Sequence, residues 1–235
     1  MTSYRRIAMA AGILFLATHV TSITARALYL PILNNPAYIE SGGQDGQVFL
    51  GALLEVLLAL TIVGTGVALY PVIKRQNEGV ALGYVALRTL EAGVIAVGVL
   101  PLLAIVTLRQ DLSGLAAADS VPLASALAAF NKWAFLVGPS LICGTNTALL
   151  AYLLYRSTLV PRFIAILGLI GGPLVFASGT AQMFGAYEQV SVWAGVGAVP
   201  VFAWEICLAI YFIAKGFRPS VDAGLNSRQA VALKV

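Results

Sequence analysis

The chain has 235 residues, of which 60% are hydrophobic and only 10% charged, and its mean hydropathy is +0.91. A soluble domain of that size carries about 25% charged residues to cover its surface, so most water-soluble folds are excluded. Disorder, a collagen-like repeat and a disulfide scaffold fall to the same arithmetic, because the 23 glycines follow no triplet period and there are only two cysteines. The net charge of +4 does not point to nucleic acid. The basic residues sit between apolar runs, with no block of like charge and no basic stripe interleaved with aromatics.

Taken in chain order, six stretches reach the twenty or so apolar residues that cross a hydrocarbon core. They fall at about 7–27, 48–73, 80–108, 125–155, 160–184 and 190–214. The first follows Arg5-Arg6 and ends near Ala25-Arg26-Ala27, which has the outline of a cleavable leader. Its apolar run exceeds the usual leader core, which favours a retained helix. Backbone groups in lipid must be satisfied within the segment, and the runs lack the alternation of barrel strands, so each is expected to be a helix. Ten basic residues then collect on one side, among them Arg5, Arg6, Lys74, Arg75, Arg156, Arg162 and Lys215. The other side keeps Arg109 as its one clear basic residue. The expected fold class is therefore all-α: a polytopic membrane protein, a bundle of six transmembrane helices with both the N-terminus and the C-terminus cytoplasmic. One domain covers residues 1–217 and a short cytoplasmic tail 218–235. The loops at about 33–47 and 109–124 are long enough to cap the outer mouth.

Ionisable residues left inside the spans are Arg26, Glu55, Arg88, Glu91, Lys132 and Glu205, with His19 beside them. Charges at membrane depth are costly, so such residues pair or face a wet cavity. Three are basic and three acidic, which suggests mutual neutralisation. At about 1.5 Å of rise per residue, Arg26, Glu55 and Lys132 lie toward the outer side. Arg88, Glu91 and Glu205 can share a deeper layer, with His19 near the middle of its helix. Residues three, four or seven apart share a helix face. Gly12, Phe15, His19, Ser22 and Arg26 therefore form one stripe, and Tyr84, Arg88 and Glu91 another. Lys132, Pro139 and Asn146 fall at sevenfold spacing on the fourth helix, Gly171, Ser178 and Gln182 nearly so on the fifth. Trp204 lies beside Glu205 at mid-span, where a headgroup-belt aromatic has no reason to be. These residues form the expected buried polar network or ligand site.

Each has a plainer reading beside it. Arg88 and Glu91 can pair simply to hold one helix against a neighbour, and the outer trio can be an interfacial network with snorkelling side chains. A lone histidine is more often a packing residue than a ligand, and one histidine cannot supply both axial positions of a haem. No zinc site is expected. Cys143 and Cys207 read as small packing residues. Pro139, Pro173 and Pro200 interrupt helices four, five and six, where proline kinks a helix and frees a carbonyl. Gly79-x-x-x-Gly83 and Gly168-x-x-x-Gly172 allow close helix approach.

Several of these features together resemble one family. They are Tyr4-Arg5-Arg6 leading into Ala11 to Phe15, Gly51 with Glu55, Gly83-Tyr84 with Arg88 and Glu91, Leu154 to Ser157 with Val160-Pro161-Arg162, Glu205, and Lys215-Gly216-Phe217. The pattern is similar to the bacterial membrane-protein family catalogued as "domain of unknown function 4386", over about residues 4 to 217. That resemblance implies a six-helix membrane protein of the bacterial cytoplasmic (inner) membrane and carries over no catalytic residue.

Three function classes follow. The first is a non-enzymatic bundle that binds a small ligand, lipid or proton, as a transporter or sensor does. The second is an intramembrane enzyme acting on a lipidic substrate with a Glu and His19 as acid and base. It is disfavoured because no GxSxG, HExxH or phosphate loop is present. The third is a structural or regulatory subunit. No cofactor or metal is expected. Expected partners are membrane lipids, a small hydrophobic ligand or a proton, and a second copy or another membrane protein, but not nucleic acid.

Overall fold

The computed structural model describes residues 3–35, 38–39, 43–111 and 119–218. Among these residues every regular element is helical, and six staves are long and apolar enough to cross a membrane. They are α1 (Ser3–Leu28), α3 (Asp45–Ile73), α4 (Glu78–Asp111), the continuous pair α5 (Val121–Leu136) and α6 (Cys143–Ser157), α7 (Arg162–Met183) and α8 (Val192–Ala214), with a short α2 (Leu30–Asn34) after the first. Most helices overrun the span limits that hydropathy suggests, because polar end residues continue the helix past the apolar run. The expected tail beyond Arg218 and part of each long loop lie outside the described residues.

Neighbours in sequence are neighbours in space: each stave packs on the next, and α8 returns to α1, closing a six-membered ring. Arg5 fixes that closure. Its guanidinium donates to the carbonyls of Phe212 (2.7 Å) and Ile213 (2.6 Å), satisfying the end of α8 with a cation where the helix dipole is negative. Both termini of the bundle therefore meet at one end. After α8, Gly216 adopts φ 76°, and the amide of Arg218 bonds Leu159 O at 3.0 Å, tying the chain to the α6–α7 connection.

That end of the bundle is closely packed. A Cβ on Gly12 would stand 2.7 Å from Ala209 O, and one on Gly172 only 2.6 Å from Gly144 O. At these two crossings helices touch backbone to backbone, which only glycine permits. Gly168 and Gly172 thus make the close approach expected of their spacing. Gly79 instead faces nothing nearer than Asn77 Oδ1 at 3.5 Å. Leu150, Leu154, Trp204, Leu208 and Phe212 fill the core behind these crossings.

At the opposite end α2 and residues 38–39 tuck under α3, α4 and α5 through Tyr29, Ile32, Leu33, Tyr38 and Ile39. A clasp holds this lid. Tyr38 donates to Asp45 at 2.9 Å, and Asp45 also accepts from Arg109 and from Gln110. Burial, with Asp45 beside it, pushes the Tyr38 phenol up to about 12.

Candidate functional site

The fourth stave carries the feature that organises the interior. Between α5 and α6, residues Val137–Ile142 form a π turn that contains Pro139. Proline cannot donate an amide bond, and a π turn absorbs one extra residue. One residue is about 100° of rotation on an α-helix, so the inward face before the turn sits fifteen residues from Asn146 rather than fourteen. Asn131 is accordingly buried, and Lys132 is exposed.

This overturns the stripe of Lys132, Pro139 and Asn146. Lys132 lies away from Arg26 and Glu55, at the rim of a shallow pocket with Tyr38 and Asn35. Among the described residues it makes no ion pair. Asn131, which sevenfold spacing passes over, takes its place: its Nδ2 donates to Gly98 O at 2.8 Å and its Oδ1 accepts from Arg26 at 3.4 Å. Arg26 also stacks over Phe135 at 4.4 Å and interacts with Glu55 at longer range. The Tyr29 hydroxyl approaches Glu55 without completing a hydrogen bond. The void at this upper layer is only about 10 Å³, room for about one water molecule.

About two turns nearer the termini lies a second layer, built from four staves. On α4, Arg88 donates to Glu91 at 3.1 Å and, across the bundle, to Glu205 of α8 at 3.2 Å. Its guanidinium lies over Phe15 at 5.2 Å and Nε reaches the Tyr84 hydroxyl at 3.4 Å. Asn146 of α6 donates to Glu91 at 2.8 Å. His19 of α1 places Nε2 3.5 Å from Glu205. Arg88, Glu91 and Asn146 are buried; His19 and Glu205 keep 12% of their side-chain surface open.

The histidine geometry fixes a proton. Nδ1 is 2.9 Å from Phe15 O, and a carbonyl only accepts, so Nδ1 carries hydrogen. Nε2 of a neutral ring would then turn a lone pair on the Glu205 carboxylate. At 3.5 Å the contact is attractive only when one of the two partners carries a further proton.

Above this layer opens a pocket of about 340 Å³. His19, Arg88, Glu91 and Glu205 form its polar floor, and its walls are apolar, with Ile62, Ile95, Phe135 and Val201 among them. α8 touches α1 near Gly12 but leans on α7 farther along, where Gly197 meets Ser178 and Gly171 meets Val201. The gap this leaves between α1 and α8 is edged by Ile23, Ala198 and Phe202, all exposed, so the pocket opens sideways rather than along the bundle axis. Phe202 packs edge-on against His19 at 4.9 Å.

The remaining expected residues lie elsewhere. Trp204 is buried in the dry core between α7 and α8, against Gly168, and does not line the pocket. Gln182 bonds Ser178 at 3.1 Å, in a small group with Tyr187 at the far end of α7. Hydropathy had no signal for Arg5 or Asn131 as structural residues.

A closed ring of six apolar staves around buried charge is the architecture of a multi-pass membrane protein. The described portion of the chain has a polar floor and a lateral opening, and no motif of known chemistry. The chain belongs to the family described as "Domain of unknown function (DUF4386)", whose profile matches residues 10–216. No curated protein and no solved structure matches it.

Proposed function

We propose that this is a non-enzymatic, multi-pass protein of a bacterial cytoplasmic membrane, with both termini cytoplasmic, that takes a small amphipathic molecule from the bilayer into the pocket between α1 and α8. One observation carries the reading: apolar walls lead from a lateral opening to a polar floor of His19, Arg88, Glu91 and Glu205. That gradient matches a molecule with a tail and a head. The orientation rests on Arg5, Arg6, Lys74, Arg75, Arg156, Arg162 and Lys215 at the end that holds the termini. Lipids retained on the purified protein, read by native mass spectrometry, test the pocket. Ala198→Trp narrows the opening and is expected to strip at least one bound species that the wild type keeps. Identical spectra from two equally folded proteins would remove the reading.

The His19–Glu205 contact also favours a second reading, in which the pair serves as acid and base on a lipidic substrate. Turnover of a bilayer lipid that disappears in His19→Gln would raise it above the first.

A further inference from the structure

The interior charges do not balance. With Lys132 turned out to the surface, the described spans keep Arg26 and Arg88 against Glu55, Glu91 and Glu205. Arg26 and Glu55 offset each other in the upper layer. In the lower layer Arg88 alone faces two carboxylates, and Tyr84, Thr65, Asn146 and Cys143 around them bring no full charge. One negative charge is therefore left over in a low-dielectric interior, where an uncompensated ion is strongly disfavoured. One proton, on His19 or on Glu205, closes the balance when the pocket holds nothing else.

The surplus sits at the open side of the layer. All four line the pocket floor, but Arg88 and Glu91 keep only 3% and 4% of their side-chain surface open, whereas Glu205 and His19 each keep 12%. Anything that carries one positive charge into the pocket can do the proton's work. The walls reward an apolar body, and Phe202, packed against His19 at the floor, brings an aromatic ring whose face suits a poorly hydrated cation. An anionic head would meet Glu205 at the open side, with Arg88 already committed to both carboxylates, and would add to the surplus.

Resting on the pocket reading above, we infer that the ligand is a lipophilic monocation, and that it binds in exchange for the one proton carried by the His19 and Glu205 pair. The cation and the proton are alternatives: each neutralises Glu205, and both together would leave the layer with excess positive charge. Binding is therefore coupled to proton release, and it weakens as the solution becomes more acidic.

The test is isothermal titration calorimetry of the full chain in phosphatidylcholine nanodiscs, with empty discs as the blank for partitioning. The probes are octyltrimethylammonium, octanol and octanoate. The quaternary head does not titrate, so any pH dependence belongs to the protein. The cation is expected to bind at least about tenfold more tightly than octanol, with octanoate weakest. Its heat should vary with buffer ionisation enthalpy by about one proton released, and its affinity should fall as pH is lowered. Glu205→Gln should abolish both the preference and the proton release. Equal binding of cation and alcohol, or cation binding with no proton released, would overturn the exchange while leaving the pocket standing. No heat beyond empty discs for any probe would remove the pocket as well. The three-probe comparison on the wild type decides the charge preference even if the variant fails to fold.

Discussion

Two polar layers cross the interior of this bundle, built from similar residues, and they end up physically unlike. The upper one joins Arg26, Glu55, Asn131 and Tyr29 around a void of about 10 Å³; the lower joins His19, Arg88, Glu91, Asn146 and Glu205 beneath a pocket of about 340 Å³. The upper layer has equal charge and is closed by Phe135 stacking on Arg26. The lower has one carboxylate too many and a gap between α1 and α8 above it. Buried ions by themselves do not mark a site, since such pairs serve packing as readily as binding. What separates these two is surplus charge next to open space.

The largest expected effect breaks the lower layer. Arg88→Met strands two carboxylates and should cost about 3–5 kcal/mol, read as thermal unfolding in detergent. Adding Glu91→Gln and Glu205→Gln should recover most of that loss. Arg26→Met strands only Glu55 and should cost less. Equal losses at Arg26 and Arg88 would erase the distinction between the layers.

The upper layer is sharpened by the register on α5. Asn131→Leu leaves Gly98 O without its donor and should cost about 1–3 kcal/mol, whereas Lys132→Leu should change stability little. Asn131→Cys and Lys132→Cys extend the comparison to maleimide labelling: position 132 should react readily and position 131 only on unfolding. The reverse order would mean that the π turn does not set the register.

Smaller effects come from the two ends. Arg5→Ala frees the last carbonyls of α8 and should cost about 1–2 kcal/mol, leaving the order of cation, alcohol and acid affinities unchanged. Asp45→Asn loosens the clasp of Tyr38 and Arg109 at a partly exposed site. It should cost about 1 kcal/mol or less, and a larger loss would give the lid a greater share of stability than the lower layer leaves for it.

Much of the frame was legible from residue order. Six apolar runs separated by polar turns, Arg88 and Glu91 on one helix face, and a basic end shared by both termini all follow from local composition and helical period. The Gly168 to Gly172 spacing announced a close crossing, and Gly172 meets Gly144 there. Lys132 was misread because sevenfold spacing holds only along an unbroken α-helix. Pro139 gave notice of a break but not of its size, and one added residue in the turn exchanged Lys132 for Asn131. Trp204 next to Glu205 in sequence points about 100° away from it around the helix, into the dry core.

The sequence by itself determined the class of protein, the number of spans and the presence of ions at depth, because hydropathy sums over neighbours along the chain and lipid tolerates few other solutions. Only the tertiary structure decided which ions meet and how much room surrounds them. Those depend on the rotation of each helix about its axis and on the splay of α8 from α1, quantities that a single-residue bulge or one glycine crossing resets without leaving a trace in the average composition.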